Sequence, residues 1–188
     1  HQPAIVIAAD RSFYKEKKAG VTQGSGVVVL RIEENPKLLQ IDFQNYGEYG
    51  EDIDDFKIPV KTAPFPKISS ALTKPAYLKC VLNSLKDLQG KIKKDQIIQN
   101  FDYFVLHSPF PKMVLWASAV LWRFENYDDK ETFYNLLEQS IKEPSLFQEF
   151  KKLFDEVRKE KEFRLFFKNK VKQALKYNPY IGNSYTAS

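Results

Sequence analysis

The 188-residue chain is 43% apolar and 14% aromatic, which supplies enough core-forming side chains to exclude intrinsic disorder. Its net charge of +5 comes from lysines interleaved with acids, as in KLFDEVRKEKEFRLFFKNKVKQALK; this reads as solvated helix faces with a mild residual attraction for anions. No apolar run approaches the roughly 18 residues that cross a bilayer and no secretory leader opens the chain, so a soluble protein is expected. A single cysteine, Cys80, cannot form an internal disulfide, which favours a reducing compartment. The start at His1 and the stop within IGNSYTAS read as a piece of a longer protein.

In chain order, PAIVIAAD (3–10) is a nearly continuous apolar run ending in an acid, the pattern of a strand covered on both faces of an α/β sheet. A second strand is predicted at GVVVLRI (26–32). The glycines between them, Gly20, Gly24 and Gly26, match no nucleotide-loop spacing and are read as turn residues. From 43 to 70 the text is acidic, aromatic and proline-punctuated without either period, so an irregular excursion is expected. KPAYLKCVLNSLKDLQG (74–90) predicts a helix with Leu78, Leu82 and Leu85 on one face and Gly90 as its stop; Cys80 lies inside it as a small packed residue.

DYFVLH (102–107) predicts a strand and PKMVLWASAVLWRF (111–124) a helix apolar on most sides. Helices follow at ETFYNLLEQSI and SLFQEFKKLFDEV, the latter with a capping-box pattern from Ser145 to Gln148. Their aromatic stripes, Phe147, Phe150, Phe154 and Val157, then Phe163, Phe167, Val171 and Leu175, are read as packing.

Apart from His1, His107 is the only histidine. It is placed at the carboxyl end of a strand, where open α/β sheets meet ligands, and Pro109 disfavours helix at Ser108, so the imidazole sits at a rigid corner. Such a group can donate a hydrogen bond in acyl transfer, or can simply be packed. Lys112 falls in the first turn of the following helix, where the macrodipole disfavours a cation by about 0.3–1 kcal/mol; a nearby anion would remove that cost.

Taken in order, AIVIAADRSFY, TQGSGVVVL, DYFVLHSPFPKMV and IGNSYTAS resemble the hydroxymethylglutaryl-CoA synthase family of the thiolase superfamily. The resemblance implies an α/β chain, part of a thiolase-like layered αβαβα fold. Residues 1–60 would close the N-terminal half, and 61–188 would belong to the C-terminal half with a helical insertion at about 126–176. It also implies an acyl-CoA condensation: a cysteine takes acetyl from acetyl-CoA, the enolate attacks acetoacetyl-CoA, and water releases hydroxymethylglutaryl-CoA, as in mevalonate or ketone-body metabolism.

By motif position, His107 and Asn183 match the catalytic histidine and asparagine that donate hydrogen bonds to carbonyl oxygens. Lys112 matches the lysine that contacts CoA. Asp10, Thr22 and Tyr185 match substrate-side positions, and Asp55 and Phe56 fall more loosely on an Asp-Phe-x-x-Pro segment. The nucleophilic cysteine and the catalytic glutamate belong upstream of residue 1, and Cys80 matches a helical cysteine that is not the nucleophile. The implied partners are acetyl-CoA and acetoacetyl-CoA, with a homodimer, no nucleic acid, no membrane, no metal and no cofactor beyond the CoA thioesters, in a cytoplasmic or mitochondrial setting. The alternatives are a carrier-protein-dependent β-branching synthase and a non-catalytic thiolase-fold binding module.

Overall fold

The computed structural model describes residues 2–11, 24–53, 57–58, 62 and 67–182. Strands β1 (Ala4–Arg11) and β2 (Ser25–Ile32) form an antiparallel pair in which Ala4 faces Ile32 and Arg11 faces Ser25. Both strands lie where the apolar runs predict. The expected cover on both faces is not met within this chain: Ile5, Ile7, Val27 and Val29 are 60–69% exposed. The two strands are joined as an antiparallel pair with no third strand beside them among the described residues, so their apolar faces have no sheet to enter.

A short antiparallel bridge joins β3 (Lys57–Ile58) and β4 (Lys67–Ile68) inside the predicted excursion. The rest is helical: α1 (Ser70–Ile92), α2 (Pro111–Asn126), α3 (Lys130–Lys142), α4 (Phe147–Val157), α5 (Lys161–Phe166) and α6 (Asn178–Ile181). Among the described residues the chain therefore shows a small sheet and a helical body, not the full αβαβα layering. No helix of the described residues is long and apolar enough to cross a membrane.

Several boundaries depart from the sequence pattern for local reasons. Helix α1 begins a turn earlier than expected because the Ser69 side chain caps it, accepting from the Leu72 N–H; Pro75 lies within the helix. At the other end Gly90 stays helical and Lys93 makes the left-handed exit at φ 55°. The Ser145 capping box does not form: the Pro144–Leu146 3₁₀ turn precedes α4, and the Ser145 hydroxyl donates to Glu143 instead. In the tail, a π-turn over Phe167–Val171 shifts the stripe, so Phe166 is buried where Phe167 was expected and Phe167 and Leu175 are half-buried.

Helix α2 lies at the centre and is buried from Trp116 through Glu125, as its composition predicts. Helix α4 supplies Phe147, Phe150, Phe154 and Val157 to the same core, with Phe150 stacked on Phe133 of α3 at 4.9 Å and Phe154 stacked on Trp116 at 6.2 Å. Two charged side chains enter this core with α2. The Glu125 carboxylate accepts from the Ile97 and Ile98 N–H groups and from Gln89 Nε2, while Arg123 pairs with Asp129 and Glu156 and lies over the Tyr127 ring. Burial of either without those partners would cost several kcal/mol.

The excursion before α1 is held down on that helix. Gly47 approaches so closely that an added Cβ would lie 2.0 Å from the Ser84 carbonyl oxygen, which excludes any other residue. The Glu48 N–H donates to Asp87, and the buried Lys79 ammonium bridges Glu51 at 2.7 Å and Glu138 of α3 at 3.0 Å. One lysine thus ties together three parts of the chain.

Burial works against the Lys79 charge, but the two carboxylates outweigh it and raise its pKa above the ordinary 10.5. The hydrogen bond from Lys79 in turn lowers the Glu51 pKa below the ordinary 4.5, against burial and with help from Tyr49. The depressed carboxylate contributes stability above pH 4.5 that is lost as pH falls through its folded-state value; the raised lysine contributes stability below pH 10.5 that is lost as pH rises through its own. Lys79→Met should therefore cost about 1–3 kcal/mol at neutral pH. In urea titrations the gap to wild type should close as pH drops below 4.5; a gap that stays constant down to pH values well under that would refute the ion-pair account.

Candidate active site

The corner at His107 is built from two ends. Phe101–Ser108 has no regular secondary structure, so the strand expected at 102–107 does not form; no strand lies beside it among the described residues to complete a ladder. It is held by point contacts instead. The Phe104 N–H donates to the Lys170 carbonyl at 2.8 Å, and Phe104 sets its ring edge-on to Phe166. At the far end the Tyr77 hydroxyl of α1 donates to the His107 carbonyl at 2.8 Å, with the two rings 6.3 Å apart.

The His107 side chain is exposed and does not enter the core formed by this chain. Ser108 beside it is 6% exposed, and its hydroxyl has no hydrogen-bond partner among the described residues. Phe110 then packs edge-on to Trp116 and occupies the N-cap of α2, with Pro111 pre-set for the first helical turn.

Lys112 follows in that first turn, as expected, and is exposed. Its ammonium lies 5.3 Å from the centroid of the Trp116 ring, and Lys74 of α1 lies 5.5 Å from the same ring. The indole face offsets part of the dipole cost, and two cations gather beside the start of one helix.

Asp10 lies on the hairpin, in register with Gly26, and its carboxylate accepts from the Arg11 N–H. An open hollow of about 530 Å³ is lined by Ala9, Asp10, Ser25, Gly26 and Val27, so the acid and the glycine stretch singled out by the sequence share one wall. Asn183, Tyr185, Thr22, Asp55 and Phe56 lie outside the described residues. Ahead of Asn183, Gly182 adopts φ 69° and ψ −167°, a conformation essentially reserved for glycine, and closes α6 through its N–H to the Asn178 carbonyl.

Two contributors were not visible in the sequence. Tyr77 sits between Ala76 and Leu78 in an apolar helix, and nothing at that position signals a partner thirty residues on. Lys170 looks like one more solvated lysine in the tail. Cys80 behaves as expected of a packed thiol: it is half-buried, and burial, followed by the Glu51 charge, pushes its pKa up against the pull of Lys79.

The described residues thus hold an exposed histidine corner, a lysine on the next helix and a glycine-bearing hairpin, in a chain whose family is that of the thiolase-superfamily condensing enzymes. The family model for the hydroxymethylglutaryl-coenzyme A synthase C terminal matches residues 39–188, and the chain belongs to that family. It is 28% identical over 200 residues to a hydroxymethylglutaryl-CoA synthase of Haloferax volcanii, covering 98% of this chain and 43% of that protein. A polyketide-biosynthesis 3-hydroxy-3-methylglutaryl-ACP synthase of Bacillus subtilis is 28% identical over 131 residues, covering 64% of this chain and 31% of the relative. Among solved structures, the hydroxymethylglutaryl synthase of the curacin biosynthetic pathway, in complex with an acetyl donor acyl-carrier protein, superposes with a TM-score of 0.73 at 23% identity over 98% of this chain and 38% of that one. The chain spans less than half the length of these relatives.

These findings correct one expectation. Free acetyl-CoA and acetoacetyl-CoA do not stand as the partners, because similar synthases are solved with an acyl-carrier protein as the donor. The physical reason for the misreading is that CoA and a holo carrier protein present the same phosphopantetheine arm and thioester, so a histidine and a lysine at this corner suit either.

The state of Cys80 gives a direct test. Little of a thiol with a raised pKa is thiolate at neutral pH, and no imidazole shares its helix, so this chain incubated with an acetyl thioester should acquire no stable adduct there. Intact-mass and peptide mapping would decide it; a stoichiometric acetyl group on Cys80 would require a different nucleophile assignment.

Proposed function

We propose that the whole protein of which this chain is part is a carrier-protein-dependent synthase of the hydroxymethylglutaryl type. It condenses an acetyl donor with the ketone of a β-ketoacyl thioester. The observation that carries the reading is the exposed His107 imidazole on a tethered corner directly ahead of the first turn of α2, where Lys112 stands. Carrier-protein delivery is supported by the likeness to the Bacillus subtilis and curacin synthases.

The roles follow from chemistry at that corner. The family's cysteine nucleophile accepts the acetyl group as a thioester and releases the pantetheine thiol. Removal of an α proton gives an enolate whose carbon attacks the ketone, and hydrolysis of the cysteine thioester frees the product. Each step puts negative charge on an oxygen. His107 and Asn183 are assigned as hydrogen-bond donors to those oxygens, the contribution that usually dominates acyl-transfer catalysis. Lys112, with Lys74 near the same Trp116 ring, is assigned to the phosphate of the phosphopantetheine arm near the positive end of α2. Asp10 and Thr22 fall to the hairpin side of the substrate, and Tyr185, Asp55 and Phe56 to further substrate contacts.

In the full-length enzyme, acetyl borne on a carrier protein should give a kcat/KM at least about 10-fold above that of acetyl-CoA, a difference of about 1.4 kcal/mol. Equal or better use of acetyl-CoA would overturn the carrier-protein reading. His107→Ala should leave acylation of the nucleophilic cysteine intact and slow condensation about 100-fold or more, as loss of an oxyanion donor does. Lys112→Ala should raise KM for the donor and leave kcat nearly unchanged, because an ammonium on a phosphate binds ground state and transition state alike. A fall in kcat at constant KM would remove Lys112 from that role.

A further inference from the structure

The stretch that carries His107 has neither a helix nor a strand ladder among the described residues, so its place depends on a few contacts. One residue of the helical tail makes two hydrogen bonds to it and a third to the turn just before it. The Lys170 carbonyl accepts from Phe104 N–H, and the Lys170 ammonium donates to the carbonyls of Gln99 and Phe101 at 2.7 Å each. Lys170 lies in the π-turn Phe167–Val171, a geometry that takes backbone groups off the regular i→i−4 ladder and recurs at functional sites. A fourth bond comes from α1, where the Tyr77 hydroxyl donates to the carbonyl of His107 itself.

We propose that Tyr77 and Lys170 are positioning residues for His107, standing in for the missing ladder: Lys170 fixes the approach of the segment and Tyr77 fixes its last residue. The inference rests on the reading of His107 as a donor to the acyl oxygen and extends it to two residues that touch no substrate. A hydrogen-bonding group must be held to about 0.5 Å to serve a transition state, and on an irregular segment the backbone anchors at Tyr77 and Lys170 contribute to that hold. Tyr77 is suited to the task because its ring packs against the core and burial pushes its hydroxyl pKa up to about 12, which keeps the donor proton in place. The tail helices, through Lys170, thereby gain a role beyond packing.

Two readouts separate this proposal from the reading beneath it. This chain contains only His1 and His107, so ring-labelled histidine gives two NMR signals. Tyr77→Phe and Lys170→Met should each move or broaden the His107 signal, whereas Tyr134→Phe, whose hydroxyl donates to Glu138, should leave it in place. A His107 signal unchanged in both variants would overturn the positioning role whatever His107 does chemically. In the full-length enzyme, each variant should lower the condensation kcat about 10-fold with donor KM and cysteine acylation unchanged, and Lys170→Arg should restore most of the loss. On a His107→Ala background neither should slow the reaction further, since both act through the imidazole. Equal fold-losses in the two backgrounds would mark a general structural role and refute the proposal. Normal condensation in His107→Ala alone would instead sink the catalytic reading, and the NMR result would stand apart from it.

Discussion

The burial of α2 is the constraint on which the rest of the structure depends. A helix enclosed almost all round has to be surrounded; α3 and α4 do so with interlocking rings and α1 with Leu78, Leu82 and Leu85. Because Arg123 and Glu125 go in with it, their partners are fixed as well. Glu125 dictates where the chain turns at Ile97 and Ile98, and Arg123 dictates where Asp129 and Glu156 come to lie. The other end of the same helix starts four residues after His107, so the packing that immobilises α2 also sets the corner from which the imidazole projects.

What emerges from that body is functionally telling. The hairpin of β1 and β2 is apolar and exposed on both faces, a surface of the kind that protein contacts cover. The chain spans less than half of its relatives. On the proposed reading, the site would be shared between the His107 corner and elements beyond this chain, which is how a histidine, an asparagine and a distant cysteine would meet one thioester. On the proposed carrier-protein reading, the acyl group would reach the corner on a long arm whose phosphate would pass the two lysines near the Trp116 ring.

Periodicity carried the helical body well. The all-apolar α2 and the Phe147, Phe150, Phe154 and Val157 face of α4 are where 3.6-residue spacing puts them, because burial of a continuous stripe overrides every weaker local preference. The failures have a common cause in contacts far along the chain. A run such as DYFVLH becomes a strand only beside a partner strand, and among the described residues none is supplied. The π-turn that promotes Phe166 into the core, and the Lys79 bridge to Glu51 and Glu138, depend on residues that local pattern cannot connect. At the site, His107 could be read because a proline two residues on marks a corner. Lys112 could be read as a misplaced cation, but Trp116 beneath it could not.

The central claim is that the corner between Phe101 and α2 receives the acyl thioester. A crystal structure of the full-length enzyme holding a hydrolysis-resistant acetyl analogue on the phosphopantetheine arm of a carrier protein tests it most directly. The account predicts a His107 ring nitrogen within about 3 Å of the acyl oxygen, the arm's phosphate beside Lys112, and the Tyr77 hydroxyl still on the His107 carbonyl. An acyl group bound elsewhere, with His107 turned to solvent, would contradict it.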